Sequence, residues 1–542
     1  MGRWLVMTEP THSTLAALIE DKAQRNPELE VLTFVSVADD GQLKDETRTY
    51  SQLFEKACAL ARFLSDLGVA PKAKLAVMMD NHPEFVETMI ASSILGSAFV
   101  PIDPRTMGSK LSYMLDFTDC QGLVCADYAL PSVQAVISAC PQLKWLLVVQ
   151  TKPGFSLPSS LLPIALYDDA IAGERVSVAS TPWAKQEPTD TMFMMFTSGT
   201  TGNPKAVLFP HQKYMGSTLS PISAGFITPN DKFYTGLSLA HINAQGTVAG
   251  ALGQELPCVI SRKFTKSRLW DIVRRYGCTT FNLLGGMIPE IYAVPARSDD
   301  SDNPVRVVQS AGMPAHLWKK FETRFALKIT EVYGATEGGA MRNPPGAGPV
   351  GSIGKPMAGW IAEILNESGV VCPTDTEGEI CFRREDGRPI ELQYYKNSEA
   401  ASDKVRDGWL HMGDLGHKDE NGWFYFHHRI GGGVRRNGDF VNTMLVETVL
   451  MESHLVSDVF VYGVATPSNV AGEKTLVAAV VPAPTHDHNQ SQLIEYCQQN
   501  LERRDVPEIF QVLDEIPKTV SEKPIERACI ELLLAKFDGA SL

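Results

Sequence analysis

The chain has 542 residues, 44% apolar and 21% charged, an ordinary globular composition spread over more length than one hydrophobic core usually serves. Its net charge of −14, without a long basic run, argues against nucleic acid or an anionic membrane surface as a partner. No stretch approaches the roughly 18 apolar residues of a membrane span, the start MGRWLVMTEPTHS has too short an apolar patch for a signal peptide, and the ten cysteines lack CxxC spacing, so reduced core thiols in a cytoplasmic protein are expected rather than zinc sites or a disulfide framework.

Helical apolar spacing covers 13–25 and 51–68, with short strands at 31–37 and 48–50 between them. A buried strand at 74–79, a helix over about 83–96, a strand end and turn at 99–104, a helix at 108–118 and strands at 122–125 and 145–149 follow. Strands alternating with helices predict parallel α/β layers. The Pro- and Ser-rich stretch 151–190 reads as a surface connection. An apolar run from Met192 then leads into FTSGTTGNPK, residues 196–205. Its two glycines free backbone N–H groups for an anion, and its hydroxyls and Lys205 add donors and charge. By composition this is a phosphate cradle without the Walker ending, or else a flexible surface turn.

Beyond it, 207–209 is a predicted strand leading to His211, and 212–225 a helix. The apolar run 233–243 ends near His241, a position that suits a satisfied packing histidine or a functional one. Predicted strands at 305–309 and 328–333 each end in a glycine-containing turn, SAGMP and YGATEGG. Thr336 and Glu337 in the second can serve a phosphate and a magnesium ion, or cap a helix. From 349 the chain turns to short strands (362–365, 378–382, 422–426), which predicts an antiparallel barrel or small sheet. Gly431, Gly432 and Gly433 form the best boundary candidate. Past them, a helix at 444–453, strands at 459–464 and 475–481, a helix at 491–502 and a strand at 510–513 make an α+β unit of about 110 residues, a domain-sized piece.

Seven motifs in register resemble the adenylate-forming superfamily of acyl-CoA synthetases, peptide-synthetase adenylation domains and beetle luciferases: TYSQL (49–53), GSAFVPIDP (96–104), FTSGTTGNPK, YGATE (333–337), GEI (378–380), WLHMGD (409–414) and PKTVSEK (517–523). The resemblance runs through nearly the whole chain. It implies an α/β fold with a large N-terminal domain of layered α/β subdomains plus a small β-barrel-like part at 1–430, then a small mobile α+β C-terminal domain at 431–542. It also implies a ligase that activates a carboxylic acid with ATP and magnesium to an acyl-adenylate, then passes the acyl group to coenzyme A.

By the same resemblance Thr197, Ser198, Gly199, Thr200, Thr201 and Gly202 embrace the β- and γ-phosphates, supported by Lys205. Thr336 touches the α-phosphate and Glu337 ligates magnesium. Asp414 accepts the ribose hydroxyls with Arg429 assisting, while Ala311, Gly312, Tyr333 and Gly334 line the nucleotide slot. Lys523 matches the catalytic lysine of adenylation, and Arg435 and Gly438 match the segment that borders the thiol tunnel. His241 and the small residues Gly285, Gly286, Gly338 and Gly339, with Met287, are expected around the acyl group. The small domain is expected to turn about Gly431 between the half-reactions. The chain departs from the family pattern at Gly431, at His428 (usually aspartate), and at Glu522 and Pro524, which flank the lysine in place of glycine and isoleucine.

The segment LAHINAQ (239–245) resembles crotonobetaine/carnitine-CoA ligases most. With no carrier domain expected after residue 542, free coenzyme A is the expected thiol, and medium fatty, aryl and steroid-side-chain acids all stay open. The alternatives are an adenylating enzyme that passes its acyl group to an amine or carrier protein, and a non-catalytic nucleotide-binding relative. A homodimer is allowed for.

Overall fold

The computed structural model describes residues 12–172, 181–197, 204–223, 225–430, 434–436, 439–441, 443–464, 474–484, 490–501, 503, 505–519 and 522–536. Residues 198–203 of the glycine loop, the 431–433 glycines and Gly438 lie outside the described residues, as does the side chain of Arg435. The chain packs as two compact units, one of Met1–Asn282 with Leu392–Ala401, the other of Leu283–Glu391 with Ser402–Leu542.

In the first unit seven strands form one sheet in the order Ile164–Leu166, Trp145–Val149, Gly122–Ala126, Lys74–Met78, Ala98–Ile102, Thr191–Thr197, Lys205–Pro210. All neighbours are parallel except the last pair, which is antiparallel. Parallel strands covered on both faces read as unbroken apolar runs, and GLVCA and WLLVV are buried at every residue. The Pro83–Leu95 helix opens with proline at its start, buries every residue but Glu84, and stops at the left-handed Gly96, φ 65°. A second ladder pairs Phe233–Thr235 with Cys258–Ser261, that strand with Glu30–Val37, and Glu30–Val37 with the antiparallel edge strand Leu43–Thr49. Tyr50 opens a helix instead of ending that strand, because Thr49 and Gln52 form a reciprocal capping box.

One buried ion pair joins three of these elements. Arg48 Nε of the edge strand lies 2.6 Å from Glu87 Oε1 of the Pro83–Leu95 helix, and Tyr167 Oη donates to Glu87 Oε2 at 2.9 Å. Tyr167 begins a short helix, Tyr167–Ile171, that follows the Ile164–Leu166 strand. Both fall inside the stretch expected to be a plain connection; three and five residues are too short to display a period. The helix Ile242–Gln254 was likewise not expected, since its Gly- and Ala-rich sequence leaves no apolar stripe. Its small residues serve close packing: a Cβ on Gly253 would lie 2.4 Å from Thr218 Cβ of the His211–Ser223 helix.

In the second unit Val307–Ala311 runs parallel to Lys328–Gly334, which pairs antiparallel with Ala340–Asn343. The short strands after 349 form the expected small antiparallel sheet: Trp360–Leu365, Gly378–Arg384 and Trp409–Lys418 in order, with Val405–Arg406 and Phe424–Arg429 both on the last. Farther on, Val456–Val464, Thr475–Pro482 and Ile509–Val512 make a three-stranded sheet. Along Thr475–Pro482 the side chains alternate between two cores. Leu476, Ala478 and Val480 pack with Val446, Leu450, Leu493 and Cys497, while Val477 and Ala479 pack with Cys529 and Leu533. The second core needs the helix Glu526–Lys536, which the sequence reading left out. All ten cysteines are free and buried, and among the described residues no helix is long and apolar enough to cross a membrane.

The Arg48–Glu87 pair gives a stability prediction. Arg48→Met strands a fully buried carboxylate and should cost about 3 kcal/mol, whereas Arg48→Met combined with Glu87→Gln should recover most of that loss. Urea midpoints of the wild type and the two variants check this.

Candidate active site

The paired strands Trp409–Lys418 and Phe424–Arg429 set Asp414 directly opposite Arg429. Arg429 Nε stands 3.0 Å from Asp414 Oδ1, and Tyr333 Oη donates to Asp414 Oδ2 at 2.6 Å. Asp414 is buried, yet its Oδ1 accepts no hydrogen bond within the chain. A buried carboxylate oxygen in that state calls for an outside donor, and the vicinal hydroxyls of a ribose are donors of the right kind. Burial and the neighbouring carboxylate push the Tyr333 phenol well above its ordinary pKa, so it stays a donor. Its ring stacks near Phe382, 6.4 Å between centroids at 16°, which fixes its direction.

The turn after Val307–Ala311 is held from beneath by Glu331. Gly312 N donates to Glu331 Oε1 at 2.5 Å and Met313 N to Oε2 at 3.1 Å. Burial raises Glu331 to about 7, with the two N–H groups pulling the other way. Gly312 adopts φ 97°, a left-handed conformation that a side chain would strain. Gly285 N donates to Ala311 O at 2.9 Å, and a Cβ on Gly285 would lie 2.4 Å from Gly312 O. The other glycines expected around the acyl group are packed in a similar way. A Cβ on Gly286 would meet Glu522 O at 2.6 Å, one on Gly339 the Phe382 ring at 2.6 Å, and one on Gly338 Trp360 at 3.3 Å. A side chain would therefore clash at Gly285, Gly286 and Gly339, whereas at Gly338 the backbone φ of 147° is the stronger constraint.

Lys523 comes into the electrostatic neighbourhood of Arg429, Asp414 and Glu337. Crowding by protein is the largest influence and lowers its pKa, Arg429 adds to this, and the two carboxylates oppose it. Its neighbour Glu522 takes a left-handed φ of 56°, a conformation that a glycine adopts without strain. Lys404 feels the same carboxylates, Glu337 foremost, against a burial that lowers its pKa, and its Nζ donates to Met412 O at 2.8 Å. Lys404, Arg429 and Lys523 therefore lie among the carboxylates Asp414, Glu337 and Glu379, which puts cations in place for a polyanion.

In the first unit Thr197 and Lys205 are cross-strand partners, so the ends of the glycine loop are fixed by an antiparallel pair. Thr197 Oγ1 donates to Lys205 O at 3.4 Å, and Lys205 Nζ lies 5.4 Å from the centre of the Tyr394 ring. His241 is the half-buried N-cap of Ile242–Gln254. The segment before it is pinned by Asn81, whose Nδ2 donates to Leu237 O and Ser261 O and whose Oδ1 accepts from Leu239 N, each within 2.8–2.9 Å.

Three features escaped the sequence reading. Glu331 and Lys404 fall in no quoted motif, although Glu331 stands two residues before Tyr333 in the strand KITEVYG, whose other charged residue, Lys328, is exposed at its start. Glu379 and His411 were quoted as motif members but given no task. Glu379 Oε1 accepts from Gly413 N at 2.9 Å, and its Oε2 lies 2.7 Å from His411 Nδ1, which is also 3.3 Å from Cys381 Sγ. That network anchors the backbone next to Asp414. Its three side chains are the one His, Cys, Asp or Glu cluster with metal-ligand spacing among the described residues, and the short carboxylate–imidazole distance makes it a hydrogen-bonded brace.

Comparison with known proteins places the chain in a family. The model of the AMP-binding enzyme family matches residues 19–387, and that of the AMP-binding enzyme C-terminal domain matches 445–523. A medium/long-chain-fatty-acid–CoA ligase of Mycobacterium tuberculosis, FadD17, is 27% identical over 96% of both chains. A crotonobetaine/carnitine–CoA ligase of Salmonella paratyphi C is 26% identical over 88% of this chain and 92% of its own. Among solved structures, the anthranilate CoA ligase AuaEII in complex with anthranoyl-AMP superimposes with a TM-score of 0.83 at 20% identity, covering 98% of this chain and all 100% of the other. O-succinylbenzoate coenzyme A synthetase from Bacillus subtilis, in complex with ATP and magnesium ion, does so with 0.77 at 21% identity, covering 95% and 99%. The chain belongs to the AMP-binding enzyme family.

Proposed function

We propose that the chain is an AMP-forming acid–CoA ligase, a reading carried above all by the gathering of Tyr333, Asp414, Arg429, Glu337 and Lys523 in one corner of the second unit. A carboxylate is a poor acylating agent because its leaving group would be oxide. Its oxygen attacks the α-phosphorus of ATP, the bond to pyrophosphate breaks, and an acyl-adenylate results. The sulfur of coenzyme A then attacks the acyl carbon, the bond to AMP breaks, and the thiol proton goes to solvent. Charge gathers on the phosphoryl oxygens in the first step, so donors and cations already in place supply the stabilisation.

Asp414 takes the ribose hydroxyls on the oxygen that is ion-paired with Arg429 but accepts no hydrogen bond within the chain, and Tyr333 and Arg429 keep its carboxylate in one orientation. Glu331 shapes the adenine turn through Gly312 and Met313. Lys523 places a point charge between the attacking carboxylate and the phosphate, with Lys404 as a further cation of the same corner. Thr197, Lys205 and the loop between them hold the departing pyrophosphate, and His241 borders the acyl group. Magnesium suits Glu337, whose carboxylate is a hard oxygen donor, better than the mixed sulfur, nitrogen and oxygen set of Glu379, Cys381 and His411. When bound, the ion would neutralise charge on the phosphate oxygens. Residues 431–542 form the mobile domain in this reading, and Arg435 and Gly438 serve the thioester step.

Pyrophosphate release from ATP and magnesium with a library of fatty, aryl and steroid-side-chain acids tests the reading and identifies the acid. AMP turnover should stall without coenzyme A; sustained turnover without it, or no release with any acid, overturns the assignment. Lys523→Ala should slow adenylation by about 100-fold or more while sparing thioester formation from preformed acyl-adenylate, as single-turnover assays of the two steps would show. Tyr333→Phe removes one donor from Asp414 and should raise the KM for ATP about fivefold with little change in the KM for coenzyme A.

A further inference from the structure

Lys523 rides on a hairpin that the chain closes on itself. Ile525 N donates to Pro517 O at 2.8 Å, Thr519 N to Lys523 O at 2.7 Å and Glu522 N to Thr519 O at 2.9 Å, and Lys523 N reaches Thr519 Oγ1 at 3.1 Å. Lys518 and Pro524 form a bridge across it. These bonds cross-link the described residues 517–519 and 522–525, so whatever anchors the first segment also aims Lys523 on the second.

Two contacts tie it to the short helix Met287–Ala293. Lys518 Nζ lies 3.2 Å from Glu290 Oε1 of that helix and 2.8 Å from Asp458 Oδ2 of the Val456–Val464 strand. The Glu522 carbonyl rests on Gly286, the N-cap of the same helix, at a spot where a Cβ would come within 2.6 Å. The Lys518 side chain is only 11% exposed. Burial alone would depress its pKa, but Asp458 and Glu290 outweigh that and raise it, so it stays charged. Asp458 lies on Val456–Val464, in the same three-stranded sheet as Ile509–Val512, the strand that precedes the hairpin, which leaves Glu290 as the charged tether to a different part of the unit.

We infer that Lys518 and Glu290 are positioning residues: their ion pair, together with the Glu522–Gly286 seat, holds the hairpin where Lys523 serves adenylation and has no part in thioester formation. This rests on the ligase reading above for its catalytic consequence, but the tether itself is a property of the fold. Neither residue touches the reacting atoms. The seat also gives Glu522 a reason for its left-handed backbone, since that conformation turns its carbonyl onto Gly286.

The test uses the full chain carrying Glu290→Gln or Glu290→Lys, with Asp458→Asn as a control that keeps the Glu290 contact. Amide hydrogen exchange at 517–525 and 287–293 should speed up about fivefold in Glu290→Gln, the scale of a half-exposed ion pair, and further in Glu290→Lys, where two ammonium groups face each other. Exchange in Thr475–Pro482 should not change. In the assays of the two half-reactions, both Glu290 variants should slow adenylation by a similar factor and leave thioester formation from preformed acyl-adenylate intact. Unchanged exchange at the hairpin overturns the tether whatever the activity. Faster exchange with equal loss of both half-reactions overturns its assignment to adenylation. If the wild type releases no pyrophosphate with any acid, the exchange data still decide the tether, and the ligase reading fails separately.

Discussion

The Asp414 carboxylate is the point from which the second unit's site is built. It is buried, and a buried charge persists only with partners. One oxygen takes the Tyr333 phenol and the other faces the Arg429 guanidinium without a hydrogen bond of its own. Each partner comes from a different strand, Lys328–Gly334 or Phe424–Arg429, so the demand of one carboxylate fixes the relation of two sheets. Glu379 braces the same strand from its other side through Gly413 N and His411. What remains unsatisfied at Asp414 is then available to a ligand.

Around this carboxylate opposite charges are gathered. Lys404, Arg429 and Lys523 lie among Asp414, Glu337 and Glu379, and the pKa of both lysines is lowered, chiefly by the loss of water around them, while the carboxylates resist. Cations already in place stabilise phosphate oxygens without reorganising, which is how electrostatic preorganisation works. The buried trio Arg48, Glu87 and Tyr167 is structural by contrast, since its members close on one another.

Much of this was legible before any coordinates. The unbroken apolar runs announced a parallel sheet because strands covered on both faces have no polar side to show. The short strands after 349 announced a separate antiparallel sheet. The motif residues Tyr333, Asp414, Arg429 and Lys523 were named from resemblance, and the fold brings all four together. Other features were out of reach for stated reasons. Ile242–Gln254 lacks an apolar stripe because small residues let it approach its neighbouring helix. Ile164–Leu166 is too short to show a period, and Glu526–Lys536 is needed only once the far face of a three-stranded sheet exists to be covered.

The sequence by itself determined which chemical groups are present and in what order: the glycine-rich loop, the Asp414 carboxylate, the lysine in its PKTVSEK tail, and a family to which those motifs belong. Tertiary structure alone decided which groups share a field. Lys404, invisible as a motif, ends the Ser398–Lys404 helix and joins Lys523 in the field of Glu337, with its Nζ donating to Met412 O of the Trp409–Lys418 strand. Gly285, Gly286 and Gly339 look from sequence like room for a substrate, and only the fold shows how closely backbone or rings approach each of them. A residue's identity is a local property of the chain, whereas burial, pairing and close approach depend on segments hundreds of positions apart, and those distances exist only once the chain has folded.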